Sequence, residues 1–152
     1  MIGWLLDTNV VASLMTPNGA PSVRAWAAGQ DEDNLYLSIL ALAEIDKGIH
    51  NLAVGDDARS RYVGTLQALE ARFDGRILSL SDDVVRRWGA ISGMVRRDAG
   101  HPPPVIDTLL AATAIEHDLY LVTRNVKDVR RSGAAIFNPW ENDPAAYPLA
   151  ER

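Results

Sequence analysis

The chain has 152 residues, a formal net charge of −5, 47% hydrophobic residues and 23% charged residues. This balance is that of an ordinary globular domain with one core, and no apolar run approaches the about 20 residues that a membrane-spanning helix needs. The lack of cysteine excludes disulfides and thiolate metal sites, and the negative charge argues mildly against a protein whose main task is to hold nucleic acid.

The N-terminal half is predicted to alternate short strands with helices. An apolar run over residues 2–6 ends at Asp7 and indicates a first strand; no basic region precedes it, so we expect no signal peptide. The lack of cysteine favours a reducing location, so we expect a cytoplasmic protein. Pro21 suits the first turn of a helix that runs to about Gly29. After a polar loop over residues 31–34, residues 35–37 form a strand, and Ser38 caps a helix that reaches about Asn51.

The C-terminal half continues the alternation. Asp56 or Asp57 begins a helix to about residue 73, residues 77–80 form a strand, and Ser81 caps a helix that stops near Gly100. Three prolines over residues 102–104 forbid a helix until residue 105, where one begins that reaches about residue 117. A strand over 119–122, a short helix over 126–131 and a strand over 134–137 follow. We expect residues 1–140 to form one domain and residues 141–152 an exposed tail.

The alternation of strands and helices predicts an α/β fold with three layers. Its central sheet is expected to be mostly parallel, with helices on both faces. Ligands of such folds bind outside the carboxyl ends of the strands. Asp7 stands at the carboxyl end of the first strand and residues 123–125 (TRN) at that of the fourth, so we expect the functional site at this edge.

Asp107 is the most informative single residue. It belongs to a segment, VIDTLLAATAI, that is apolar on every face and is therefore expected to be a buried helix. No lysine or arginine lies three or four residues away, and a buried carboxylate without a partner costs several kcal/mol or takes up a proton. An acid in the first helical turn, favoured there by the helix dipole, is an equally good explanation of Asp107 taken alone.

Two further acids have both an ordinary and a functional interpretation. Glu44 points away from the apolar stripe of its helix, as a surface glutamate would, but Leu40 and Ala41 share its side, which is not ordinary for a solvated face. Asp7 ends a strand, where a ligand would bind, but with Thr8 and Asn9 it also suits a helix cap. Three acids near one end of a parallel sheet nevertheless favour a shared site over three coincidences.

Clustered carboxylates raise one another's pKa, and a hard divalent cation relieves their repulsion. Mg²⁺ prefers oxygen ligands and binds through a few carboxylates plus substrate phosphate, where it activates water and neutralises the leaving oxygen. The donor set points away from zinc, because there is no cysteine and because His50, His101 and His117, in no ligand spacing, are expected to be surface or cap residues. The arginine pairs at 86–87, 96–97 and 130–131 are expected on solvated faces.

Four short motifs resemble those of PIN-domain nucleases. They are residues 7–11 (DTNVV), 43–48 (AEIDKG), 107–114 (DTLLAATA) and 123–125 (TRN). Each is weak alone, but all four occur in the family's order on the expected elements, and the resemblance covers about residues 2–140. The segments 75–78 (GRIL) and 137–140 (FNPW) look especially like the FitB branch of VapC-type toxins.

The resemblance implies a PIN-like fold and a homodimeric, Mg²⁺-dependent endoribonuclease in which Mn²⁺ substitutes for Mg²⁺. Asp7 and Asp107 would be the principal metal ligands, Glu44 would bind a second metal or orient water, and Asn9 and Thr123 would support the site by hydrogen bonds. The resemblance also implies the toxin half of a type II toxin–antitoxin pair. Its small VapB- or FitA-type antitoxin would block the site and make the only contact with operator DNA; no membrane is involved.

One position departs from the family pattern. The fourth acidic position is often Asp and is Asn125 here, which completes the predicted catalytic set of Asp7, Glu44 and Asp107 without adding charge. Asp128, three residues on, is the other candidate for this position, so the sequence leaves open whether the site binds one metal ion or two.

The alternative function is a PIN-like binding module that acts with a DNA-binding antitoxin in autoregulation without efficient cleavage. Asn125 and the net charge favour this alternative, and the three intact acids oppose it.

Overall fold

The computed structural model describes residues 2–141, so Met1 and residues 142–152 of the expected tail lie outside the described residues. The strands of this part of the chain are β1 (Trp4–Leu6), β2 (Leu35–Ser38), β3 (Ile77–Leu78), β4 (Tyr120–Val122) and β5 (Ile136–Phe137). Its helices are α1 (Thr8–Met15), α2 (Pro21–Ala28), α3 (Ile39–Asn51), α4 (Asp57–Arg72), α5 (Asp82–Ala99), α6 (Val105–Glu116) and α7 (Val126–Val129). Within residues 2–141, every helix is too short or too polar to span a bilayer.

The helix boundaries follow the caps that the sequence predicts. The hydroxyls of Ser38 and Ser81 accept hydrogen bonds from backbone N–H groups of the first turns of α3 and α5. Of the two acids proposed to begin α4, Asp56 is the cap and accepts from the Ala58 N–H at 2.9 Å. Gly100 ends α5 with a φ of 86°, a left-handed conformation that costs glycine nothing.

Helix α1 is the element that the sequence analysis does not predict. Its first residues are Thr, Asn and two Val, all poorer helix formers than Ala or Leu. Tertiary packing overrides that weak propensity, because Val10 and Val11 are buried in the core and Asp7 caps the first turn. A smaller difference is that the expected loop over 31–34 contains a 3-10 turn, Glu32–Asn34.

Four of the five strands found in residues 2–141 are shorter than the apolar runs that predict them, and β2 is one residue longer. Ile2 is 39% exposed, and β1 pairs only from Trp4 onward. β3 ends at Leu78 instead of residue 80, and β5 begins at Ile136 instead of residue 134. Helix α7 likewise ends at Val129, two residues before the predicted end. Ala134 and Ala135 are buried although they lie outside β5, so hydrophobicity alone does not mark where pairing stops.

The sheet is parallel throughout and has the order β3-β2-β1-β4-β5. β1 lies in the centre, with β2 on one side and β4 on the other. The chain therefore reverses its direction of travel across the sheet between β1 and β4, and this gap is the topological switch point where ligands bind in open α/β sheets.

Helices cover both faces of the sheet, which confirms the predicted three-layer α/β architecture. On one face, Trp4 and Leu6 of β1 pack in a cluster with buried residues of α1, α2, α3 and α4. On the other face, Leu5 packs against α6 and α7, and α5 covers the outer side of α6. The alternation of β1 side chains between the two clusters is what a strand buried on both faces requires.

Candidate functional site

Asp7 lies at the switch point and also caps α1. It directly follows β1, and its backbone N–H donates to the Val122 carbonyl of β4 at 2.9 Å. Its Oδ1 accepts from the Thr8 N–H at 2.7 Å, which is the capping bond. The ordinary and the functional interpretation of Asp7 are thus compatible, since the cap occupies one oxygen and leaves the other turned toward β4.

The second oxygen of Asp7 is held by two of the predicted supporting residues. Oδ2 accepts from the Thr123 hydroxyl at 2.7 Å and from Asn9 Nδ2 at 3.1 Å. Asp7 is only 5% exposed. Burial raises the pKa of its carboxyl, and the hydrogen bonds from Thr123, Thr8 and Asn9 counteract part of that rise.

A relay of hydrogen bonds orients Thr123 toward Asp7. The Asn125 N–H donates to Thr123 Oγ1 at 3.0 Å, so the hydroxyl proton of Thr123 is free to point at Asp7 Oδ2. The Arg124 N–H donates to Asn9 Oδ1 at 3.4 Å and so ties the same loop to α1. The TRN segment after β4 and the DTN segment after β1 therefore form one connected frame.

Glu44 reaches the site through a residue that the sequence analysis did not select. It lies on α3, is exposed, and its Oε1 accepts from the Thr8 hydroxyl at 3.0 Å. Thr8 therefore connects Glu44 with Asp7, whose capping bond it also makes. The sequence places Thr8 between two predicted site residues, Asp7 and Asn9. Helix capping accounts equally well for a threonine at this position, so the sequence does not reveal its side-chain contact with Glu44.

Asp107 lies in the first turn of α6 and is half-buried, which corrects the expectation that the whole of this helix is buried. The helix projects beyond the core at this end, where Val105 and Ile106 are exposed, while residues 110–114 are buried. The pKa of Asp107 is raised from 3.8 to about 6, chiefly by burial and then by the charges of Asp7, Asp128 and Glu44, while a hydrogen bond with Asn125 lowers it.

The same electrostatics bear on the fourth acidic position. Asn125 is a hydrogen-bond partner of Asp107, and Asp128 is close enough for its charge to act on the same carboxyl. Asp128 is half-buried on α7, in the turn that follows the Asn125 cap. Both candidates for this position therefore neighbour Asp107, one as a neutral hydrogen-bonding group and one as a charge.

The acidic group carries negative charge that no basic side chain neutralises in the described part of the chain. The ion pairs found between residues 2 and 141 involve Glu32, Asp98 and Glu116, and none involves Asp7, Glu44 or Asp107. Across the same residues, no three acids or histidines converge closely enough to form a ready-made metal cluster. The three acids predicted as ligands thus repel one another without forming a closed cage.

The remaining sequence-selected residues lie outside the acidic group. His50 and His101 are exposed, and His117 caps the C-terminal end of α6, as expected. The three arginine pairs are exposed as predicted; Arg87 pairs with Glu116 and Arg97 with Asp98. None of the three histidines is among the groups whose charges act on Asp107.

A parallel three-layer fold with acids at the switch point of its sheet agrees with the family that most of the chain matches. Residues 4–131 match the family model described as PIN domain, and the chain belongs to this family. Toxin FitB of Neisseria gonorrhoeae (strain ATCC 700825 / FA 1090) is 30% identical over 138 residues, covering 91% of this chain and 99% of FitB. VapC ribonuclease Y4jK of Sinorhizobium fredii (strain NBRC 101917 / NGR234) is 29% identical over 138 residues, covering 90% and 97%.

Solved structures give the same result in three dimensions. FitAcB from Neisseria gonorrhoeae superimposes with a TM-score of 0.81 at 29% identity, covering 91% of this chain and 99% of the matched chain. FitAB bound to an IR36 DNA fragment also gives a TM-score of 0.81, at 28% identity and coverage of 92% and 97%. VapBC-1 from nontypeable Haemophilus influenzae, at 21% identity and a TM-score of 0.74, shares the fold.

Proposed function

We propose that this chain is the toxin of a type II toxin–antitoxin pair and acts as a metal-dependent endoribonuclease that hydrolyses RNA phosphodiester bonds. One observation carries the proposal: the buried carboxyl of Asp7 and the carboxyl of Asp107 lie near enough at the switch point for one to raise the pKa of the other, and neither belongs to an ion pair found within residues 2–141. Such an uncompensated pair suits a cation and the phosphate that it binds. The names of the ribonuclease and toxin relatives support the reaction and the substrate class.

The donor set fits Mg²⁺, with Mn²⁺ as a substitute. Asp7 uses three hydrogen bonds out of about four lone-pair directions, so one remains, while Asp107 is partly open to solvent. All the available ligand atoms are oxygens, and Mg²⁺ needs only one or two carboxylates when waters and phosphate complete its shell. Bound here, the ion would supply charge neutralisation at the phosphate and a more acidic water. A closed three-acid cage is not required for that.

The protein's own groups have separate roles in this proposal. Asp7 and Asp107 are the principal ligands, and Glu44, held by Thr8, binds a second ion or orients the attacking water. Thr123 and Asn9 fix the orientation of the Asp7 carboxylate by their hydrogen bonds. Asn125 occupies the fourth position beside Asp107, and Asp128 is the alternative acid for that position, since its charge acts on the same carboxyl.

The proposal includes a protein partner. A small VapB- or FitA-type antitoxin would silence the site and carry the contact with operator DNA, in line with the FitAB complex bound to DNA. We also propose that the protein is cytoplasmic and forms a homodimer. The homodimer is supported by the exposed apolar side chains of Ile39, Val105 and Ile106 at the starts of α3 and α6. Residues 1–140 form its PIN domain.

A binding module without efficient cleavage is the second candidate. The neutral Asn125 and the net charge of −5 favour it, because both reduce the case for strong metal or RNA binding. Such a module would still bind the antitoxin and take part in repression, but it would leave RNA intact.

The two functions differ in what expression of the chain does to cellular RNA. The experiment induces the chain without an antitoxin and sequences the newly formed RNA ends, with Asp7→Asn as the matched inactive variant. We expect recurrent cleavage sites with the wild-type chain and none with Asp7→Asn. No new ends with either protein, at equal expression, would reject the nuclease and favour the binding module.

A further inference from the structure

A second concave surface opens beside the acidic site and has no role in the proposed function so far. It has a volume of about 280 Å³ and lies between the C-terminal part of α5, the loop before α6, the start of α6 and the segment that contains α7. Ile91 and Val95, each 6% exposed, contribute to an apolar floor, and Pro103 and Pro104 contribute to the wall. We call this surface the α5–α7 cavity.

The rest of its lining is strongly basic. Lys127, Arg130 and Arg131 line the α5–α7 cavity and are exposed, whereas Asp128 is the one acid among the described residues of the lining. None of the three cations belongs to an ion pair found within residues 2–141, although the charge of Arg131 acts on Asp98. With three cations and one acid, the described lining of the cavity is positively charged, although the chain as a whole has a net charge of −5.

The α5–α7 cavity adjoins the acidic site directly. Asp128 lines the cavity, and its charge also acts on Asp107. Thr108, the residue after Asp107, lines the cavity as well, and its hydroxyl is turned back to the Pro104 carbonyl. A chain-like ligand that crosses the acids would therefore continue into the cavity.

The lining matches the two chemically different parts of a nucleotide. Phosphate is bound by lysine and arginine, and a nucleobase can be held between aromatic or apolar side chains. We propose that the α5–α7 cavity binds one nucleotide of single-stranded RNA next to the cleaved bond, with its phosphate on Lys127 and Arg130 and its base over Ile91 and Pro103. This inference rests on the proposed nuclease function and adds a substrate subsite to it.

The test uses two independent changes to the cavity and one matched control in the full chain. Arg130→Glu reverses a charge at the cavity, and Ala99→Phe fills its floor without changing charge. Arg61→Glu is the control, because it makes the same charge change at an exposed position on α4, which packs against the opposite face of the sheet. Circular dichroism and melting temperatures verify folding of all three, and Arg130→Glu, a surface change, keeps the test valid if Ala99→Phe fails to fold.

The first readout is steady-state cleavage of a single-stranded RNA oligonucleotide. We expect both cavity variants to raise KM by roughly tenfold, equivalent to a loss of about 1.4 kcal/mol of binding, with kcat within about twofold of wild type. Arg61→Glu should leave both constants within about twofold. Unchanged KM in a folded Arg130→Glu protein would overturn the subsite.

The second readout does not depend on cleavage. Adenosine 5′-monophosphate is titrated into the wild-type and Arg130→Glu proteins, with adenosine and inorganic phosphate as separate arms. Tighter binding of the nucleotide than of either part, lost in Arg130→Glu, supports the subsite even if the wild-type chain cuts no RNA, a result that would reject only the proposed function. Equal binding of phosphate and nucleotide would overturn the base contact.

Two other occupants are tested with the same proteins. If Arg130→Glu weakens antitoxin binding and leaves KM for RNA unchanged, the cavity holds a protein segment and the proposal is wrong. If the variant changes the oligomeric state in light scattering and leaves nucleotide binding intact, the cavity belongs to an interface between copies, which also overturns it.

Discussion

At the scale of single residues, Asp7 combines a structural and a chemical role. Its Oδ1 caps α1, while Oδ2 accepts from Thr123 and Asn9. These bonds fix the orientation of a buried carboxylate, so no side-chain freedom is lost when it binds a ligand. Asp107 has Asn125 as a neutral hydrogen-bonding neighbour and is more exposed than Asp7, and its pKa is raised to about 6.

Asp107→Asn is expected to stabilise the metal-free protein at neutral pH. Burial and neighbouring acids raise the pKa of Asp107 from its ordinary 3.8 to about 6, so between these values the native state holds more protons than the unfolded state. The unfavourable contribution of Asp107 is therefore absent below pH 3.8 and complete above pH 6. Solvent screening reduces the effect. We expect the difference in free energy of unfolding between Asp107→Asn and wild type to increase by about 1–2 kcal/mol, in favour of the variant, from pH 4 to pH 7.5.

The measurement is urea unfolding of both proteins at several pH values with EDTA present. Asp98→Asn is the comparison, because Asp98 is exposed and its pKa is lowered by Arg97, so it should show no gain of this kind. If the stability difference between Asp107→Asn and wild type does not change with pH, the pKa of Asp107 is not raised in the native protein and the prediction is wrong.

Asn125→Asp is expected to strengthen binding of Mn²⁺. Asn125 already bonds with Asp107, so the new carboxylate would add charge next to a proposed ligand. Calorimetric titration of Mn²⁺ into both proteins measures the gain, for which we expect roughly tenfold in affinity, or about 1.4 kcal/mol. Equal affinities would place Asn125 outside the metal site or assign its role to Asp128.

At the scale of elements, the sequence predicts those whose caps or breakers are local. Ser38, Ser81, Gly100 and the three prolines mark their helix ends correctly. Helix α1 escapes, because its stability comes from long-range packing of Val10 and Val11 and not from local propensity. The acids could be selected from the sequence because of their positions on the predicted strands and helices. The Thr8–Glu44 contact joins α1 and α3, so it can be recognised only once the fold is known.

The connection between α1 and α2 supplies an element-scale prediction. A Cβ at Gly19 would lie 1.7 Å from the carbonyl oxygen of Ser13, so the backbone of one segment must move in Gly19→Ala. We expect a loss of about 1–3 kcal/mol, as for other forced overpacking. Gly89→Ala is the control, since a Cβ there meets nothing within 4 Å on α5, and we expect a gain of about 0.5–1 kcal/mol.

Thermal and urea unfolding of the two glycine variants and the wild-type protein measure these changes. Because α1 carries Thr8 and Asn9, Gly19→Ala should also disturb the site more than Gly89→Ala does. If Gly19→Ala and wild type are equally stable, the α1–α2 connection is loose, and the inferred close packing of Gly19 against the Ser13 backbone is wrong.

At the scale of the whole molecule, the predicted α/β class and parallel sheet are confirmed, and the strand order is what the sequence could not supply. Short strands of two to four residues carry no information on which neighbour they pair with. The observed order puts β1 beside β4 and thereby joins Asp7 to Thr123, which are 116 residues apart. The charge distribution also emerges only here, as an acidic site next to the basic α5–α7 cavity.

The acidic site predicts how the proposed antitoxin is regulated by metal. A partner that silences uncompensated carboxylates is expected to insert an arginine, whose fork binds two carboxylate oxygens. Divalent cations then compete with it, so the inhibition constant should rise with Mg²⁺ at constant ionic strength, which is held fixed because screening alone weakens such contacts. An inhibition constant independent of Mg²⁺ would indicate that the antitoxin acts away from Asp7, Glu44 and Asp107.

The central claim is that Asp7 and Asp107 hold a divalent cation for cleavage of RNA. The most direct measurement is cleavage of a single-stranded RNA oligonucleotide by the purified chain over a Mg²⁺ titration, beside Asp7→Asn and Asp107→Asn proteins shown to be folded. We predict saturable dependence on Mg²⁺, complete loss in EDTA, recovery with Mn²⁺, and no cleavage by either variant at any Mg²⁺ concentration. Full activity in EDTA, or in either folded variant, would contradict the metal site and the nuclease mechanism built on it.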